Sequence, residues 1–150
     1  EVFGKGSVHL IVGLGDSDET LMRAIQHYHD RGCTVALFAF TPVRGTALTI
    51  PPPPAGRYRA LQLARYLIVH DQATVDDLDF DDGKLVNLHV TTGLVEAALE
   101  EGAPFRTSGC PSCNRPLYNE RPGGVMYNYP QPLAREEKDV VRKELLEYLE

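Results

Sequence analysis

The residues predict an α/β fold built on a parallel sheet, and three features carry that prediction. Short apolar runs of strand length alternate with longer stretches of helical period, capping residues and glycines punctuate the joints, and the links from helix back to strand are short. Right-handed crossovers between parallel strands follow from that order. About three or four such units make either half of an eightfold barrel or a small doubly wound sheet, and periodicity does not separate the two.

Taken in order, Val8 to Leu14 is a nearly continuous apolar run between Gly6 and Gly15, which predicts a strand buried on both faces. Asp16 then suits a helix N-cap, with Glu19 completing a capping box; Leu21, Ile25 and Tyr28 share one helical face, and Gly32 suits the C-cap. Thr34 to Phe40 repeats the buried-strand pattern. The run Pro51 to Pro54 predicts extended polyproline within a loop from Thr41 to Gly56. Arg57 to Val69 is the next helix, with Tyr58, Leu61, Ala64 and Ile68 aligned.

Aspartates at 76, 77, 79, 81 and 82 interrupt any pattern up to Leu85, from which a strand runs to Val90. Thr92 to Glu101 reads as helix ended by Gly102, and Phe105 to Gly109 as a short final strand. Proline, glycine and asparagine dominate Cys110 to Pro132, an ordered loop or extension. Ala134 to Leu149 returns to helix, with Val141, Leu145 and Leu149 aligned and acidic Glu136 and Glu137 in the first turn.

Composition bounds the partners. A chain of 150 residues with 43% apolar content supports one compact unit with its own core. Net charge of -6 without a Lys/Arg cluster argues against nucleic acid or an anionic membrane surface, and it casts the acidic residues as solvated. No run is long enough to span a bilayer and no signal-peptide pattern opens the chain, so a cytoplasmic location is expected. The start at Glu1, with a strand pattern inside the first ten residues, leads to the expectation of a truncated or processed chain.

Gly13-Leu14-Gly15 between strand and helix has part of a dinucleotide-binding pattern, but the third glycine would fall at Asp18, and Asp16, Asp18 and Glu19 would repel a pyrophosphate. In a barrel, Gly13 to Asp16 and Thr41 to Thr46 would share the catalytic rim; as plain turns they need no ligand. Cys110-Pro-Ser-Cys113 has the spacing of zinc, iron–sulfur or dithiol sites and supplies half of a four-ligand set. Cys33, before a buried strand, reads as a packed small hydrophobe, and His9, His27, His29, His70 and His89 show no metal spacing relative to the pair. Tyr118, Tyr127, Tyr129, Asn114, Asn119, Asn128, Arg115 and Arg121 crowd the following segment, either lining a pocket or satisfying a packed loop.

Leu10-Ile-Val-Gly-Leu-Gly15 with its acidic helix start, followed after the next strand by Thr41-Pro-Val-Arg-Gly-Thr46, resembles the fifth and sixth strands of radical S-adenosylmethionine enzymes of the biotin synthase and lipoyl synthase type. The roughly thirty-residue separation and strand context agree with that placement. In the family the fifth strand carries Gly-x-Ile-x-Gly-x-x-Glu; Ile11 and Gly13 match, His9 stands for the first glycine and Asp16 for the glutamate. The resemblance implies adenine contacts from Ile11, Gly13, Pro42 and Val43. It also implies that residues 1–109 are the C-terminal half of a parallel (β/α) TIM-type barrel, and residues 110–150 a cysteine-containing, loop-rich extension with a terminal helix.

The family's Cys-x-x-x-Cys-x-x-Cys motif is absent, so the resemblance implies S-adenosyl-L-methionine and a [4Fe–4S] cluster as cofactors whose cluster ligands lie outside this chain, which would be inactive alone. The stretch Thr74 to Leu88 lacks the arginine of biotin synthase, whereas Gly109-Cys-Pro-Ser-Cys-Asn-Arg-Pro116 and Tyr118-Asn-Glu120 look like biotin-synthase-like proteins of two-component lipoyl synthesis. That likeness implies sulfur insertion into a small-molecule or lipoyl-type acyl substrate, a second radical S-adenosylmethionine subunit as partner, and an auxiliary iron–sulfur cluster on Cys110 and Cys113. The competing expectation is a zinc-stabilised α/β binding module without catalysis.

Overall fold

The computed structural model describes residues 6–43, 45–108 and 124–149. In chain order its elements are β1 (Ser7–Val12), α1 (Asp18–His29), β2 (Thr34–Ala39), α2 (Ala55–Val69), β3 (Leu78–Asp81), β4 (Lys84–Leu88), α3 (Thr92–Glu101) and α4 (Arg135–Leu149). Strands β1 and β2 pair in parallel with His9 opposite Ala36 and Ile11 opposite Phe38, as the β–α–β order requires. Strands β3 and β4 form a separate antiparallel pair. The architecture is a small α/β protein with two two-stranded sheets among the described residues, and no closed or extended barrel wall.

Side chains alternate across a strand, and paired residues in a parallel ladder share a face. Val12, Val35 and Leu37 therefore point to one side, where they join Leu21, Met22 and Ile25 of α1 and Tyr58, Leu61 and Ala64 of α2 in the core. The other side carries exposed Ser7, His9, Ile11 and Thr34 with half-buried Phe38; Ala36 alone is buried there. The expectation that β1 is buried on both faces is thus corrected: Ser7, His9 and Ile11 on its second face are exposed, and among the described residues the helices pack on the first. Leu14, within the expected strand, lies in the turn beyond it.

The two edges of this sheet differ. On β2 several of the groups pointing away from β1 are met by side chains: the Val35 carbonyl accepts from Arg65 Nε and Nη2 at 2.9 and 2.7 Å, the Leu37 carbonyl from the Tyr58 hydroxyl at 2.9 Å, and the Leu37 amide donates to Ser108 Oγ at 3.0 Å. On β1 the outward backbone of Ser7, His9 and Ile11 has no strand beside it among the described residues.

Helix α1 begins at Ser17, whose side chain accepts from the Thr20 amide at 3.1 Å; Asp16 is not the cap, and Glu19 turns outward to Arg23 at 2.8 Å instead of closing a capping box. Its C-cap is Asp30, with Gly32 at φ +74° completing the turn into β2. Helix α2 starts after Pro54, and Tyr58 through Ala64 are all buried, so it lies centrally rather than with one wet face. The aspartate-rich stretch resolves into a hairpin turned at Asp82 and Gly83, both at positive φ, the residue pair suited to a two-residue turn. A third parallel strand does not follow α2; β4 covers the expected Leu85–Val90 run up to Leu88, paired to β3 alone.

Helix α3 spans Thr92 to Glu101 with Gly102 in the left-handed conformation, as expected. Beyond it the expected Phe105–Gly109 strand is replaced by a 3-10 turn over Ala103–Phe105 and one bridge from Arg106 to Tyr129, since Pro104 near the turn's start favours helical geometry over a ladder. Helix α4 has a first-turn acid as expected, Glu137 accepting from the Ala134 amide at 2.7 Å, and it buries Val141 and Leu145. It crosses α2 at Gly56, where an added Cβ would collide with the Glu144 carbonyl and lie 2.8 Å from Tyr148 Cβ. Gly56→Ala is expected to lower stability by about 1–3 kcal/mol through this overpacking, read as a lower denaturant midpoint at unchanged slope.

Candidate functional site

Parallel pairing puts the C-terminal ends of β1 and β2 side by side, and the loops leaving them form a common rim. Phe40 donates its amide to the Val12 carbonyl at 2.8 Å, so Gly13 and Leu14 leave β1 beside the point where Thr41, Pro42 and Val43 leave β2. Ile11 is 41% exposed and Val43 64% exposed, while Gly13 and Pro42 are half-buried. All four sequence-predicted adenine contacts are therefore at the same end of the sheet. Two of them offer apolar side chains to solvent, and none is charged.

Gly13 has φ +106°, a conformation open to glycine and strained for other residues. A Cβ there would stand 3.2 Å from both Phe40 Cβ and Pro53 Cδ. Pro53 is the buried member of the proline run, and its carbonyl accepts from the Tyr127 hydroxyl at 2.6 Å. Tyr127 is itself held edge-on to Tyr58 with ring centroids 5.2 Å apart. On the remaining side of the rim, Arg57 Nη2 donates to the Asp16 carbonyl at 3.1 Å. His9 lies two residues below Ile11 on the same face, with its ring 5.3 Å from that of Phe38.

Behind the rim lies a group that sequence reasoning missed. Asp18, placed with the solvated acids, is 1% exposed: its carboxylate accepts from Arg57 Nε at 2.7 Å, from the Leu85 amide at 3.0 Å and from the Tyr148 hydroxyl at 3.1 Å. One side chain thereby ties α1 to α2, β4 and α4. The linear signal is faint, since Arg57, Leu85 and Tyr148 are far apart in sequence. Burial first, and the Asp18 carboxylate second, push the Tyr148 phenol well above its ordinary range.

Cys110 and Cys113, with Tyr118, Asn114, Asn119, Arg115 and Arg121, lie outside the described residues. Among the described residues no group of three or more His, Cys, Asp or Glu could hold a metal ion. Cys33 is half-buried beside Gly6, whose added Cβ would meet its Sγ at 3.5 Å. His29 at the end of α1 pairs with Asp71 beyond α2 at 2.9 Å, and His89 with Asp79 at 2.6 Å. Tyr127, Asn128 and Tyr129 are buried against α2, where Gln62 Nε2 donates to Asn128 Oδ1 at 3.1 Å; these residues satisfy a packed loop. Comparison with protein-family models, curated proteins and solved structures finds no match. No helix among the described residues is long and apolar enough to cross a membrane.

Asp18→Ala is expected to cost about 3 kcal/mol, because Arg57 and the Leu85 amide lose their acceptor, and chemical denaturation of the variant against wild type measures it. A tyrosine whose folded pKa is raised stabilises the fold fully below its unfolded pKa, and that contribution is lost as pH rises above about 10 toward the folded value. Thermal midpoints taken between neutral and alkaline pH are expected to fall more steeply above about pH 10 for wild type than for Tyr148→Phe; identical profiles would remove the linkage.

Proposed function

We propose that this chain is the C-terminal half of a radical S-adenosylmethionine enzyme of the biotin synthase and lipoyl synthase type, supplying the adenine side of the cofactor site. The observation that carries the reading is the shared rim: Ile11 and Gly13 at the end of β1 stand beside Pro42 and Val43 at the end of β2. The chemistry of that set fits a flat, uncharged heteroaromatic ring. Exposed aliphatic side chains offer dispersion contact, and the bare backbone at Gly13 allows close approach. The open sheet face beneath, with His9, Ile11 and Phe38, is the side that a (β/α) barrel turns inward.

In this reading Ile11 and Val43 bind and orient the adenine and exclude water from one of its faces, while Asp16, exposed beside them, disfavours a phosphate and favours a cationic cofactor. Ile11, Gly13, Pro42 and Val43 would hold the adenine of S-adenosyl-L-methionine, which together with an iron–sulfur cluster held by residues outside this chain would supply hydrogen-abstracting chemistry. Cys110 and Cys113 are proposed as ligands of an auxiliary cluster, with Pro111 and Pro116 restricting the turn that holds them. Sulfur insertion into a lipoyl-type acyl substrate, with a second subunit of the same superfamily as partner, completes the reading.

Two measurements on the full-length, anaerobically reconstituted protein test it. Calorimetric titration with S-adenosyl-L-methionine is expected to show binding that weakens at least about tenfold in Ile11→Asp and in Val43→Asp, since each places a charge against an apolar ring; unchanged affinity in both would dispose of the shelf. Replacing Cys110 and Cys113 by Ala is expected to remove about four irons per chain, the content of one [4Fe–4S] centre. Unchanged iron would refute the auxiliary cluster, and zinc in place of iron would assign the pair to a structural site.

A further inference from the structure

We propose that Tyr127 is a positioning residue for the adenine shelf: its hydroxyl fixes Pro53, and Pro53 sets the wall against which the Gly13 turn stands. The inference rests on the reading of the rim as a cofactor site and adds to it a residue distant in sequence that touches no ligand.

A polyproline segment makes no internal hydrogen bonds, and its residues have no amide to donate, so its placement depends on what its carbonyls find. Pro54 gives its carbonyl to the Tyr58 amide at the start of α2. The Pro53 carbonyl, one residue earlier, is taken by Tyr127 at 2.6 Å. That hydroxyl is a fixed point. Its own residue is 9% exposed, its ring stands edge-on to Tyr58, and its carbonyl accepts from Arg59 Nη1 at 2.6 Å and Gln62 Nε2 at 2.9 Å. The Pro53 ring is thereby held where a Cβ on Gly13 would lie 3.2 Å from its Cδ. The Pro53 ring thus fills the space that a side chain at position 13 would need, and moving it changes the wall the bare Gly13 turn faces.

The test compares the full-length, cluster-loaded protein with Tyr127→Phe, which keeps the ring and deletes the hydroxyl, and with Pro53→Ala. Val141→Ala is the control, a truncation of a fully buried α4 side chain that removes no hydrogen bond to residues 126–129. Expected for Tyr127→Phe is a dissociation constant for S-adenosyl-L-methionine about three- to tenfold higher, the equivalent of one hydrogen bond, with KM raised and kcat retained at saturation. Pro53→Ala should weaken binding in the same sense, whereas Val141→Ala should stay within about twofold of wild type despite a comparable or larger loss of thermal stability. Unchanged affinity in Tyr127→Phe overturns the proposal while leaving the cofactor reading intact. Equal weakening in Val141→Ala also overturns it, because the effect would then follow stability alone. Absence of binding in wild type overturns both.

Discussion

A guanidinium in the dry interior organises this molecule. Arg59, 1% exposed on the central helix, donates to Glu144 of α4 at 2.8 Å, to Gln62 of its own helix at 2.9 Å, and to the carbonyls of Met126 and Tyr127 at 2.6 Å each. A buried cation without such acceptors would be strongly destabilising, so these partners have to come together in the folded state. Three stretches of chain meet at one side chain. The C-terminal helix cannot sit elsewhere without stranding the charge, and segment 126–129 cannot peel from α2 without exposing two carbonyls that the arginine needs. Asp18 does the same two residues earlier on α2 through Arg57, so ionic links, more than strand pairing, join the elements around the small sheet.

Much of the secondary structure was legible in the residues because local rules decided it. Helix α3 ends where Gly102 permits a left-handed cap, and the parallel pairing of β1 with β2 follows from a strand, a capped helix and a second strand. The hairpin was equally available in Asp82-Gly83, but the density of aspartates around it masked the turn signal, and repetition of the strand–helix order was carried one unit too far. What could not be read was the burial of charge. Asp18 and Arg59 have ordinary sequence contexts, and only the crossing of α4 over α2 creates the places they fill. Likewise β1 has the composition of a doubly buried strand while one of its faces is open, since apolarity reports a preference and not what the rest of the chain provides.

The rim itself has two physical descriptions that coincide. A tight passage from strand to helix calls for residues at positive φ, and Gly13 and Gly15 are such residues whether or not anything binds there. Ile11 and Val43 stand exposed at neighbouring strand ends, the placement that the proposed shelf would use. Sequence reasoning named the four residues of the proposed shelf but not Pro53 and Tyr127 behind them, because it reads what could touch a ligand more readily than what packs beneath.

The unequal edges of the β1–β2 sheet carry a consequence for self-assembly. Open-ended polymerisation by strand addition needs two sticky edges per molecule, so that each copy both accepts and offers a strand. Here Arg65, Tyr58 and Ser108 take the Val35 carbonyl and both Leu37 backbone groups on β2, whereas on β1 no strand lies beside the outward backbone among the described residues. Copies of this sheet joined through β1 would therefore turn outward a β2 edge whose central groups are already engaged, which disfavours continued growth by strand addition.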